Sequence, residues 1–151
     1  MNLNLTLTTY NCQGLGAGKC EYIRKLSNTC DFILLQEHWL HDGDTLLSRD
    51  LPNLRYHLVS GMDSSLVHGG RPYGGCCILW KNNLLASVTP IPVDSKRLCV
   101  VKVDCQNYSL LICNAYMTCV KGNINVDQVY CDVLQDISAV CNNNPVYNHW
   151  R

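Results

Sequence analysis

The chain has 151 residues, with 12 Lys and Arg balanced by 12 Asp and Glu, so its formal net charge is zero. An apolar content of 47% excludes a disordered chain, and the length supports one domain with its own core. The neutral balance removes the overall basic signature of a dedicated nucleic-acid domain, although a local basic patch fits inside it.

The chain opens with "MNLNLTLTTY", where Leu3, Leu5 and Leu7 alternate with polar residues. That is a period-2 strand, and Asn11 shares its parity. The segment has neither the basic flank nor the continuous apolar centre of a signal peptide. No stretch approaches a membrane span. These features predict an intracellular protein, nuclear or cytoplasmic, with no membrane partner. There are 11 cysteines, an odd number with no CxxC pair. Without a signal peptide they read as free thiols used as small apolar residues: Cys76, Cys77, Cys99 and Cys113 in strand-like runs, Cys131 and Cys141 on a helical stripe.

A glycine-rich loop, "QGLGAG", follows the first strand, and Cys20, Ile23, Leu26 and Cys30 then mark one face of a short helix. Phe32 to Leu35 is an apolar run of the length expected for a strand buried on both faces. Residues 41–54 hold at most a short helix. Tyr56 to Ser60 reads as a strand, and "GMDSSLVHGGRPYGG" as a long loop with five glycines. "CCILW" is a strand, with a turn at Lys81-Asn82-Asn83 and Leu84 to Thr89 as its hairpin partner, broken by Pro90 and Pro92. "RLCVVKV" and "YSLLICNAY" form two more strands around a turn at 104–107. A helix over 125–142 carries Val126, Val129, Tyr130, Val133, Leu134, Ile137, Val140 and Cys141 as one stripe. Asn125 is its cap, Gln128 the capping-box partner, and Asn142 to Pro145 its stop. Strands joined largely as hairpins, with helices between them, suggest an α+β or layered α/β/β/α domain.

Three strands end in polar groups: the first at Asn11, the next at Glu37, and a later one at Asn114 and Tyr116. A carboxylate at the rim of a sheet is wet and rigidly held, whereas one sealed inside needs a compensating partner. Mg²⁺ takes oxygen ligands, often one or two protein carboxylates completed by water and substrate phosphate, and Glu37 suits that role. His38 and His41 form H-x-x-H beside it, which is not the H-E-x-x-H pattern of a zinc enzyme. Trp39, Trp80 and Trp150 read as core or rim packing, and His57 and His68 as surface residues.

"YNCQGL", "DFILLQEHWL", "GRPYGGCCILW" and "LLICNAYM", in this order and spacing, resemble the endonuclease/exonuclease/phosphatase family, and most of all the endonuclease domains of non-LTR retrotransposons. The resemblance covers essentially the whole chain. It implies an α/β/β/α sandwich of two sheets and hydrolysis of a phosphodiester with Mg²⁺ or Mn²⁺ as cofactor and DNA as partner. It implies that Glu37 binds the metal and that Asn11 orders the metal and phosphate site, with a part in metal binding and catalysis. It implies that the Tyr116 hydroxyl lies near the scissile phosphate. Arg71 and Asn114 are the candidates for substrate contact.

The family's Gly-Asp-x-Asn and Ser-Asp-His motifs, which supply the groups that activate water, do not occur in the 151 residues. Thr118 stands where these domains usually carry Pro, and His149 precedes the place of the missing strand. The expectation is therefore the N-terminal part of such a domain, C-terminally truncated over residues 1–151 and inactive alone. A further expectation is that it holds mainly one sheet, whose open face and edge favour aggregation or oligomerisation. Two other readings remain at this stage. One is a family member acting on a phospholipid or inositol phosphate; the other is a non-catalytic module binding DNA or protein.

Overall fold

The computed structural model describes residues 4–68, 71–117 and 125–146, with the side chains of residues 61–73 outside that description. Leu3, Thr118, Cys119, His149 and Trp150 lie outside the described residues.

Four layers stack in the order helices, sheet, sheet, helix. The first sheet holds β1 (Leu7–Asn11), β2 (Phe32–Gln36), β4 (Arg71–Lys81) and β3 (Leu54–His68), in that spatial order. β1 runs parallel to β2, and the other pairs are antiparallel. The second sheet is β5 (Ser87–Ile91), β6 (Leu98–Asp104) and β7 (Ser109–Ala115), all antiparallel. Helices α1 (Ala17–Leu26) and α2 (Leu46–Asp50) cover the outer face of the first sheet, and α3 (Val126–Asn143) covers the second.

The period-2 rule sorts the strands' side chains into these layers. On β2, Ile33 and Leu35 face the helices while Phe32 and Leu34 face the other sheet. On β4, Cys77 and Leu79 go outward, and Cys76, Ile78 and Trp80 inward. On β6, Cys99, Val101 and Val103 close the core between the sheets, and Leu98 and Val100 meet α3. Phe32 to Leu35 are all buried, as a central strand covered on both faces requires.

α1 exists because Cys20 and Ile23, three residues apart, both bury against the first sheet. Asn125 caps α3 by accepting from the Gln128 amide at 3.3 Å, and the Gln128 carboxamide donates to Asp132 at 2.7 Å. The α3 stripe is narrower than its sequence suggests. Val133 and Val140 are buried, but Tyr130, Leu134, Cys131 and Cys141 are exposed. Ten described cysteines are free thiols; Cys12, Cys20, Cys76, Cys77 and Cys99 are buried and Cys113 half-buried. Burial pushes the Cys12 and Cys76 thiols up to about 12, so they stay protonated and apolar.

Five expectations are corrected. The chain does not hold mainly one sheet: β5, β6 and β7 form a second and close the inner face of the first. Residues 61–68 and 71–75 are not a loop, because β3 and β4 continue as a hairpin through Met62↔Gly74, Asp63↔Tyr73 and His68↔Arg71. Leu84 to Thr89 does not return along β4; after the turn the chain crosses to the other sheet and β5 pairs with β6. Pro90 sits inside β5, which tolerates it as an edge strand. His57 is half-buried rather than a surface residue, and burial lowers its pKa. No helix among the described residues is long and apolar enough to cross a membrane.

Candidate active site

β2 delivers Gln36 and then Glu37 to the rim. The backbone there leaves the strand through left-handed turns: φ is 53° at Glu37 and 57° at Trp39. Across the rim Gln13 also has φ 47°, and these three are the positive-φ non-glycine residues of the described chain. Such conformations cost about 1–3 kcal/mol each and persist only where the surroundings impose them.

The surroundings here are specific. Gly14 N–H donates to Glu37 O at 2.8 Å and Leu15 N–H to His38 O at 2.9 Å, so the glycine loop runs along the turn. Glu37 N–H donates to Gly75 O at 2.9 Å and Trp39 N–H to Gly74 O at 3.2 Å, which ties the turn to β4. Lys19 Nζ gathers the carbonyls of Cys12, Gln13 and Gly14, sewing the loop to α1. Gly14 has φ 84°, and a Cβ there would meet the Trp39 ring at 2.5 Å, so the indole lies directly on the loop. Beside it opens a recess of about 610 Å³ lined by residues 13–19, Trp39 and His41.

Asn11 and Glu37 are brought together: Asn11 Nδ2 donates to Glu37 Oε1 at 3.0 Å. Asn11 Oδ1 accepts from Gln13 N–H at 3.1 Å, an Asx turn that fixes the carboxamide. The half-buried Glu37 carboxylate has no other donor among the described residues, leaving acceptor capacity open at the rim. Asn114 reaches the same place from the second sheet. Only 2% exposed, it donates to Leu35 O at 2.8 Å and Cys77 O at 2.9 Å. Its Oδ1 accepts from Gln36 Nε2 at 2.5 Å, and Gln36 is held in turn by Thr9 Oγ1. This carboxamide relay bolts the two sheets together beneath Glu37.

Tyr116 follows just past β7, half-buried, and packs against the core between the sheets. Its amide donates to Arg97 O at 2.8 Å, and the Arg97 guanidinium lies 5.6 Å from the ring centroid. Arg71 pairs through its backbone with His68, and its side chain lies outside the described residues.

The H-x-x-H pair is not a metal site. His38 is fully buried, with both ring nitrogens engaged by Leu40 N–H and Val59 O, and His41 is exposed in a non-helical segment. Among the described residues no group of three or more His, Cys, Asp or Glu converges. Gln36, Thr9 and His38 were missed as site-building residues. Gln36 alone carried a signal, since its parity with Phe32 and Leu34 points it between the sheets.

Two sheets packed face to face, with helices on both outer faces, define an α/β/β/α class of fold. The chain belongs to the endonuclease/exonuclease/phosphatase family, whose model matches residues 8–150. It is similar to the endonuclease domain of TRAS1, a telomere-specific non-LTR retrotransposon, at 11% identity and TM-score 0.55, over 93% of this chain and 53% of that one. It is similar to an AP endonuclease from Archaeoglobus fulgidus at 14% identity and TM-score 0.60, over 93% and 52%. The human Nocturnin catalytic domain matches at 16% identity and TM-score 0.55, over 91% and 59%. The chain thus spans about half the length of these solved relatives. No curated protein matches the sequence.

Proposed function

We propose that this chain carries the metal-carboxylate half of a Mg²⁺- or Mn²⁺-dependent phosphodiesterase that, in complete form, nicks DNA for retrotransposon insertion inside the cell. The observation that carries the reading is the convergence of the left-handed residues Gln13, Glu37 and Trp39 on one rim, where the Glu37 carboxylate keeps open acceptor capacity. Strain concentrated around an incompletely paired carboxylate supports a site rather than a surface turn.

The donor set fits a hard, hydrated cation. Mg²⁺ retains several waters and takes one or two protein carboxylates plus phosphate oxygens, so Glu37 with a DNA phosphate suffices. When bound, the cation neutralises charge on the phosphate and leaving oxygen. Glu37 holds it, and Asn11 orients Glu37 from its fixed Asx turn. Tyr116, just past the last strand of the second sheet, is proposed to bring its hydroxyl near the scissile phosphate. Asn114 acts by positioning, because its hydrogen bonds are spent inside the protein. Arg71 is proposed as a phosphate contact from the base of the β3–β4 hairpin tip. With neither Gly-Asp-x-Asn nor Ser-Asp-His in its sequence, the 151-residue chain alone binds but does not turn over.

The test is binding of duplex DNA, with and without Mg²⁺, against vesicles carrying phosphoinositide. The expected result is DNA binding that tightens with Mg²⁺ and weakens with salt by roughly 0.9 log units per log unit of salt for each neutralised phosphate. No cleavage and no vesicle binding should accompany it. Binding to the vesicles alone would move the substrate to a lipid headgroup. DNA binding indifferent to Mg²⁺ would leave a non-catalytic module.

A further inference from the structure

His38 sits next to Glu37, yet its side chain turns away from the rim into the protein. It is fully buried. Its Nδ1 accepts from Leu40 N–H at 2.9 Å, and Nε2 stands 3.2 Å from Val59 O. An acceptor at Nδ1 and a carbonyl at Nε2 fix one neutral tautomer, with the proton on Nε2.

The ring fills a gap built into the sheet. Between Val59↔Cys76 and Met62↔Gly74 the β3–β4 ladder shifts register, with one extra residue on β3 opposite Gly75. The bulge brings the Val59 carbonyl to the ring. Gly75, at φ 90°, leaves the space the ring occupies: a Cβ there would overlap His38 Cε1 and Nε2. The residues on either side of His38 are the left-handed pair, and their amides bind the carbonyls of Gly75 and Gly74. One imidazole therefore pins the turn from inside while β4 holds it from the side.

We infer that His38 is a positioning residue for the Glu37 carboxylate, joining the bulged base of the β3–β4 hairpin to the turn that aims Glu37 at Asn11. The inference deepens the proposed function, resting on Glu37 as the metal ligand, but its first readout needs no metal. Of the ring's bonds, the one from Leu40 N–H closes the turn itself, so it carries the positioning. Asn can place an oxygen where Nδ1 stands; Gln can place an amide where Nε2–H stands.

The experiment compares His38→Ala, His38→Asn and His38→Gln in the metal-free chain by NMR, reading Leu40 amide protection and the Asn11 side-chain amide resonance. Glu37→Gln defines the Asn11 resonance without its carboxylate partner. The amides of Phe32 to Leu35 report the intact core. His38→Ala and His38→Gln should lose roughly tenfold or more of Leu40 protection, equivalent to about 1.4 kcal/mol, and shift Asn11 to its Glu37→Gln position. His38→Asn should keep both signals. An unmoved Asn11 resonance in His38→Ala, or retention by His38→Gln but not His38→Asn, overturns the inference. If His38→Ala does not fold, the Asn and Gln variants decide alone.

Mn²⁺ titration forms the second arm. His38→Ala should weaken binding roughly 10–100-fold and His38→Asn restore it, the range seen when support behind a metal ligand is removed. No Glu37-dependent Mn²⁺ binding by the wild-type chain would refute the metal reading alone, since the NMR arm still judges His38.

Discussion

β2 has a carboxylate beyond each end, and the two are built in opposite ways. Asp31, before the strand, accepts from Thr6 N–H at 2.9 Å, from Thr6 Oγ1 at 2.8 Å and from Lys81 Nζ at 3.2 Å. Burial alone would raise its pKa, but the two Thr6 bonds and Lys81 outweigh that and hold it below the ordinary value. Glu37, after the strand, accepts one bond among the described residues, from Asn11, on a left-handed backbone anchored on several sides. The same residue class thus serves the two flanks of one strand in different ways. Where donors saturate the carboxylate it fastens β1 and β4 to β2. Where the scaffold is spent on aiming the carboxylate, the oxygens stay available.

Phe32→Ala should damage both ends together, because this fully buried ring lies in the core between the sheets. A loss of about 3–5 kcal/mol in urea unfolding is expected. Asn114→Ala separates the ends more sharply. It strips partners from the Leu35 and Cys77 carbonyls and from Gln36, all near the Glu37 end. The expected cost is about 1–3 kcal/mol, with hydrogen-exchange protection falling at Gln36 and Glu37 and holding at Asp31.

Asp31→Asn should cost about 1–3 kcal/mol at neutral pH, since a charged acceptor loses its charge against Lys81 and Thr6. The pH dependence has a definite sign. A carboxylate with a lowered folded pKa adds stability above its unfolded value of 3.8, and that stability disappears as pH falls through the folded value. Urea midpoints of wild type and Asp31→Asn should therefore converge below pH 3.8. A gap that persists to the lowest pH would remove Asp31 from this role. Glu37→Gln should change stability least, within about 0.5 kcal/mol, because little of the fold depends on that carboxylate.

How much of this was legible in the sequence depends on whether the cause was local. β2, β6, β7 and the two longer helices announce themselves by period, because one residue's neighbours along the chain decide which face it buries. The pairing of β5 did not, since the turn at 81–83 is compatible with a hairpin and only the second sheet's core draws Val88 across. The pairing of 61–68 with 71–75 hid behind its glycines: Gly74 and Gly75 signal flexibility in sequence but serve here as positive-φ positions beside a bulge. At the site, Asn11 and Glu37 were readable as polar strand ends in a known motif order. His38 was not, because its role depends on an absent Cβ thirty-seven residues away at Gly75.

The most direct test is isothermal titration of Mn²⁺ into the wild-type chain, Glu37→Gln and Asp31→Asn. The account predicts binding to wild type and Asp31→Asn with equal affinity, and its loss in Glu37→Gln. Equal binding by all three, or loss in Asp31→Asn with retention in Glu37→Gln, would contradict the assignment of Glu37 as the metal carboxylate.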